Sequence, residues 1–202
     1  MHINYEIIVQ EITSPGIVYK GDGFHVRCFP LKHTKPCYGY TLEEDMRPGE
    51  FHPQKAQEMN IPMGKLWGQL QKGQTVKTED GREIKPSDVM GLPRMGRKFS
   101  YVTDSLAFPE ISTHVTGSDL FICEGMFEKA LQEDAHEKKH MTAAEAAQIA
   151  KGSQDVKKLG LIHYSPRYTE YELKQILKEA QEIFPETVLT KDRMVFPIEY
   201  VE

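Results

Sequence analysis

LGLIHYSPRYTEYELKQILKEAQEIF, residues 159–184, is the stretch on which the fold reading turns. A short apolar run reads as a buried strand over 158–163, and His163 then stands where the strand tip meets a loop. Ser165, Pro166, Arg167 and Tyr168 follow. Thr169 with Glu172 three residues on forms a capping box and opens a helix over 170–184. A strand, a polar loop and a capped helix in succession mark α/β architecture, with an imidazole and a guanidinium at the mouth of a sheet.

Working outward, the same alternation covers the chain from Gly96 onward. Strands are expected over 98–103 and 120–123, a helix over 143–151 opened by a second capping box, Thr142 with Glu145, and terminal strands near 187–189 and 194–199. Upstream, residues 5–9, 16–19, 24–31 and 38–43 read as short strands separated by turns, with Gly21-Asp22-Gly23 between two of them. The stretch between differs in character. Residues 47–95 hold five of the twelve prolines (Pro48, Pro53, Pro62, Pro86 and Pro93), a short helix over 53–59 and a hairpin whose turn is Asp80-Gly81. The expected organisation is a β-rich part over 1–46, an inserted arm over 47–95 and an α/β remainder over 96–202.

At 202 residues with 39% apolar content the chain is long enough to bury a core. A formal charge of −5 argues against indiscriminate coating of nucleic acid. No apolar run reaches the roughly 18 residues that span a bilayer, and the amino terminus has no signal-peptide pattern, so the expected location is the cytoplasm with no membrane partner. Cys28, Cys37 and Cys123 lack the spacing of a disulfide framework or a thiolate zinc site and are expected to be reduced.

His33, Asp104, Glu124 and His163 each stand just beyond an expected strand, where side chains distant in sequence converge. A single histidine there is more often a hydrogen-bonded imidazole, but four such residues together suit a metal. "LKHTKPCYGY", "GRKFSYVTDS", "SDLFICEGMF", "KKHMTAAEAAQIA" and "LIHYSPRY", in this order, resemble the second half of ribonuclease Z, the tRNA 3′-end endonuclease family of the metallo-β-lactamase fold. The resemblance implies the second half of an αββα sandwich with an inserted arm, acting on precursor tRNA. It assigns His33 to one ion, Asp104 as a bridge and His163 to a second ion. Zinc is implied, two ions in the complete site, and manganese suits the same donors. It also implies that Glu124 and His140 together protonate the leaving oxygen.

Arg167 would face the same mouth, where a guanidinium suits a phosphodiester, or would instead form a salt bridge near the following helix. In the arm the resemblance points to a tRNA-gripping tip in "NIPMGKLWGQLQKG", with Gly64 and Lys65 as substrate contacts; Trp67 is either a stacking platform or, the better reading, an anchor for the arm itself. The sequence departs from the family pattern in Thr-Asp-Ser around Asp104, in Cys123 before Glu124 and in Met141-Thr142 after His140. The family's His-x-His-x-Asp-His signature is absent, since no two of the eight histidines lie two residues apart. The chain is therefore expected to correspond to the second half alone, to hold metal weakly and to be inactive by itself until joined to the half that carries the signature. Its open sheet face is expected to be covered by a separate N-terminal half, a second copy or a domain-swapped arrangement. The alternative expectation is a catalytically silent, homodimeric RNA- or protein-binding module of the same fold. A third is a hydrolase of a small phosphodiester.

Overall fold

Apolar alternation and a glycine turn make the first regular element a hairpin. Strand β1 (Gly16–Lys20) pairs antiparallel with β2 (Phe24–Pro30), and Gly23 in the connection has φ +77°, a conformation glycine adopts without steric cost. Strand β3 (Tyr38–Glu44) follows. The computed structural model describes residues 5–200; the first four and last two, which fall within the expected segments 1–46 and 96–202, lie outside the described residues. The chain divides into two compact units, Glu44–Gly96 and the remainder.

The unit Glu44–Gly96 contains α1 (Pro53–Glu58), α2 (Lys65–Gln71), the two-stranded hairpin β4 (Val76–Lys77) and β5 (Glu83–Ile84), and α3 (Pro86–Val89). Its core is small: Ala56, Ile61, Leu70, Val76, Ile84 and Val89, with Phe51 and Trp67 packed against it. The Trp67 indole donates to the Ile61 carbonyl at 3.0 Å, and its ring centroid lies 5.1 Å from that of Phe51. Trp67 thus anchors the core of this unit. The turn of the hairpin uses Gly81 at φ +83°, and Asp80 accepts from both Thr78 and Arg82.

The other unit continues with β6 (Lys98–Val102), α4 (Glu110–Val115), β7 (Leu120–Glu124), a 3-10 turn (Lys129–Leu131), α5 (Gln132–Glu137), α6 (Ala143–Gly152), β8 (Leu159–Ile162), α7 (Glu170–Ile183) and β9 (Thr187–Leu189). One seven-stranded sheet results, ordered β1-β2-β3-β6-β7-β8-β9. The β1–β2 and β3–β6 pairs are antiparallel, and β6, β7, β8 and β9 run parallel. Strand β7 is buried along its whole length, as expected for a central strand of a parallel sheet.

On one face Val102, Phe121, Cys123, Leu159 and Leu161 join Ile111 and Val115 of α4, the alanines of α6, and Ile176 and Ala180 of α7 in one core. A fully buried side chain such as Phe121 contributes about 1.5–3 kcal/mol by leaving water. The alanines of α6 let that helix lie close to its neighbours. On the opposite face Phe99, Tyr101 and Ile162 are only half-buried, and Tyr19 and Leu42 are exposed.

Both capping boxes are formed: Thr142 and Thr169 accept from the amides of Glu145 and Glu172, whose carboxylates accept in return from the threonine amides. All three cysteines are free. Two sequence expectations fail. Residues 5–9 and 194–199 are not strands, because alternation makes a strand only where a partner edge supplies hydrogen bonds, and none pairs with them among the described residues. Tyr5, Ile7, Ile8 and Val9 are exposed instead. Short helices α2, α3, α4 and α5 were not expected; each is seven residues or fewer, too short to show a periodic apolar stripe.

Candidate metal centre

The parallel register delivers the site. Val102 aligns with Cys123 and Cys123 with Leu161, so Asp104 and His163, two residues beyond Val102 and Leu161 respectively, emerge at one level on the same edge of the sheet. Glu124, the last residue of β7, lies between them and one step deeper. The loop after β2 brings His33. It is knitted to the Asp104 loop by the Lys32 amide donating to the Ser105 hydroxyl at 3.1 Å and by the Leu106 amide donating to the Lys32 carbonyl at 2.9 Å. His140 comes from the α5–α6 connection.

Asp104 is central. Its Oδ2 lies 4.0 Å from His33 Nε2 and its Oδ1 lies 3.5 Å from His163 Nδ1, so each carboxylate oxygen faces a different imidazole. Burial opposes charge on Asp104, but the Thr103 hydroxyl, 2.8 Å from Oδ1, and the nearby His163 outweigh it and hold the carboxyl below its ordinary value. His163 has φ +59°, a left-handed backbone that a β-carbon disfavours by roughly 1–2 kcal/mol, an observed strain at a strand tip.

Glu124 is fully buried and accepts from the Ser105 amide at 2.6 Å. His140 Nδ1 lies 3.1 Å from both Glu124 oxygens. Burial pushes Glu124 up to about 8, with Asp104 adding to the rise and the Ser105 amide opposing it. Burial also lowers His140, only partly countered by Asp104. The two titrate as a pair sharing one proton across Nδ1. With that proton on Glu124, the neutral His140 ring accepts it at Nδ1 and carries its own hydrogen on the outer nitrogen Nε2, from which it can donate.

Among the described residues, two sets of three donors have ligand atoms within 4.8 Å of one another: His33, Asp104 and His140, and Glu124, His140 and His163. Bonds of about 2.1 Å in tetrahedral geometry require donors roughly 3.4 Å apart. The 3.5 and 4.0 Å separations across Asp104 come within a small side-chain adjustment of that, and imidazole with carboxylate is the donor chemistry of zinc and manganese. The residues present fit a divalent cation.

The expected residues His33, Asp104, Glu124, His140 and His163 are thus brought together. His140, expected as a proton donor, also stands at ligand distance. Arg167 does not form the salt bridge that was the alternative for it: Nε donates to the Ser165 hydroxyl at 3.0 Å, and no carboxylate lies within 4.0 Å of its guanidinium among the described residues. That guanidinium sits 5.1 Å from the Phe127 ring centroid, and Lys138 Nζ sits 5.3 Å from the same centroid. The Phe127 ring is itself 6.4 Å from that of His140. Phe127 and Lys138 escaped the sequence reading, since neither carries a motif. Gly64 and Lys65 belong to the unit Glu44–Gly96, where Gly64 (φ +131°) precedes α2 and Lys65 is exposed.

No family model matches the chain. A curated relative, the ribonuclease Z of Treponema denticola, is 59% identical over 200 residues, covering 99% of this chain and 65% of that protein. Among solved structures, human tRNase Z, short form, superposes with a TM-score of 0.54 at 20% identity, over 92% of this chain and 47% of that one. The metallo-β-lactamase fold protein YhfI from Bacillus subtilis gives a TM-score of 0.53 at 17% identity, over 90% and 51%. These two establish the α/β metallo-β-lactamase fold. The chain spans about two thirds of the length of the curated relatives it matches. With 59% identity on that fold, the chain belongs to the ribonuclease Z family.

Proposed function

We propose that this chain supplies the second-half part of a ribonuclease Z-type endonuclease that removes 3′ trailers from precursor tRNA in the cytoplasm. The observation that carries the reading is Asp104 placed between His33 and His163, beside the buried Glu124–His140 pair. His33, Asp104 and His163 hold zinc, or manganese, and a bound cation there supplies Lewis acidity toward a phosphodiester. Arg167 and Lys138, both without a carboxylate partner among the described residues, receive the phosphate as charge-assisted donors. His140 donates from Nε2 to the departing 3′ oxygen while Glu124 keeps Nδ1 bonded and the ring oriented.

The arm, with Gly64 and Lys65 at the start of α2, grips the tRNA. The remaining ligands and a second sheet come from a half that carries the His-x-His-x-Asp-His signature. The half-buried Phe99, Tyr101 and Ile162 and the exposed Tyr19 and Leu42 support a packed partner on that face.

The test is cleavage of a precursor tRNA with zinc or manganese, by the purified chain alone and after addition of a polypeptide carrying the signature half. Cleavage only in the mixture, lost in Asp104→Ala, is the expected result. Salt-sensitive tRNA binding with no cleavage in any mixture would support the silent homodimeric module instead. Strong turnover by the chain alone would overturn the incomplete-centre reading.

A further inference from the structure

We infer that the carboxyl-terminal turn of α5 is a positioning device for the cation site, in which the backbone carbonyl of Lys139 fixes the tautomer and aim of His33. The inference rests on the metal-centre reading above for its purpose, but its geometry stands independently.

Helix α5 ends at Glu137, with Lys138 as its cap. The Lys139 amide donates to the His136 carbonyl at 3.0 Å and the His140 amide to the Ala135 carbonyl at 2.8 Å. Lys139 itself has φ +58°. This pair of bonds around a left-handed residue is the Schellman helix ending, whose left-handed position is usually glycine. Here it turns the Lys139 carbonyl out of the helix to meet His33 Nδ1 at 3.0 Å, across 106 positions of sequence. A carbonyl oxygen only accepts, so Nδ1 must carry the hydrogen. The nitrogen left without one is Nε2, which is the atom facing Asp104. The residue after the turn is His140, whose Nδ1 is engaged by Glu124. One left-handed residue therefore orients one imidazole through its carbonyl and sets the exit direction of the chain to the other. Outer partners of this kind raise metal affinity by holding the ligand nitrogen bare and aimed.

The side chain of Lys139 has no part in this, so the backbone preference of the substituent decides the outcome. Two variants separate the possibilities: Lys139→Gly, which favours the left-handed conformation, and Lys139→Val, whose branched β-carbon resists it. The ring nitrogens are read by long-range proton–nitrogen correlation spectra of the labelled, metal-free chain at pH 8, with His33 assigned by His33→Asn. Wild type and Lys139→Gly are expected to show His33 with hydrogen on Nδ1, and Lys139→Val to shift it toward the Nε2 form. In parallel, zinc affinity measured by competition with a chromogenic chelator is expected to fall about 10–100-fold in Lys139→Val and to change little in Lys139→Gly. If Lys139→Val does not fold, Lys139→Thr takes its place with the same expected direction. An unchanged His33 pattern in the branched variant, or an equal loss in the glycine variant, would overturn the inference. If wild type binds no zinc, the metal-centre reading fails while the spectra still decide whether the carbonyl sets the tautomer.

Discussion

Replacing Glu145 with alanine should loosen the connection that carries His140, and the structure sets the size of the effect. Glu145 is nearly buried near the start of α6, where its Oε2 accepts from the Thr142 amide at 2.9 Å and the Thr142 hydroxyl at 3.0 Å. Its Oε1 accepts from Gln132 at 2.9 Å and His136 at 2.6 Å. A buried amide bonded to a charged acceptor contributes about 1.5–3 kcal/mol. The capping interaction adds about 1 kcal/mol, and the half-exposed His136 link adds at most about 1 kcal/mol. Since these share one side chain and are not additive, alanine should cost about 3 kcal/mol, and glutamine, which keeps the shape and loses the charge, about 1 kcal/mol. Burial alone would raise the Glu145 carboxyl, but the bonds from Thr142, Gln132 and His136 hold it below its usual range. The folded state therefore prefers the ionised form. Its contribution is complete above the unfolded carboxylate value of about 4.3 and is lost as pH falls through the lower folded value. Hydrogen exchange of peptides covering residues 132–152 reads this directly, because about 3 kcal/mol is more than a hundredfold in protection. Wild type should exceed Glu145→Gln at pH 7 and converge with it toward pH 3. A gap that stays constant or widens on acidification, or an alanine cost below about 1 kcal/mol, would refute the argument.

Asp104→Asn keeps the volume but removes the charge shared by His33 and His163, so zinc affinity measured by chelator competition should fall at least about tenfold. Gly160→Ala would place a β-carbon 2.5 Å from Ile122 Cδ1 and 2.8 Å from Thr190 Cγ2 on β8, between β7 and β9; a loss of about 1–3 kcal/mol in urea unfolding is expected. Trp67→Ala removes the indole's bond to Ile61 and its packing on Phe51, so exchange protection should drop within 44–96 and stay unchanged in 97–200. Arg167→Gln should weaken precursor tRNA binding and reduce the slope of log affinity against log salt by about 1, as loss of one phosphate contact requires.

Much of the site was legible because its side chains are also its chemistry. His33, Asp104, Glu124, His140 and His163 are named by residue type and by place after a strand or before a helix cap, and they meet as the motif order implies. What escaped was contributed by groups without identity in the sequence. The Ser105 amide that engages Glu124 and the Lys139 carbonyl that engages His33 are backbone atoms, common to every residue. The ring of Phe127 beneath two cations is likewise one phenylalanine among nine until its neighbours are placed.

Local sequence was sufficient for what depends on neighbours along the chain. Thr142 with Glu145 and Thr169 with Glu172 start their helices because donor and acceptor lie three residues apart, and Asp80-Gly81 turns its hairpin because glycine accepts positive φ. Tertiary structure alone decided what depends on a distant partner. Residues 5–9 and 194–199 alternate like strands yet pair with nothing among the described residues, and the side-by-side register of Val102, Cys123 and Leu161 brings Asp104 and His163 to one level. A strand needs a second edge and a metal site needs donors from several loops, so neither is a property of any single segment.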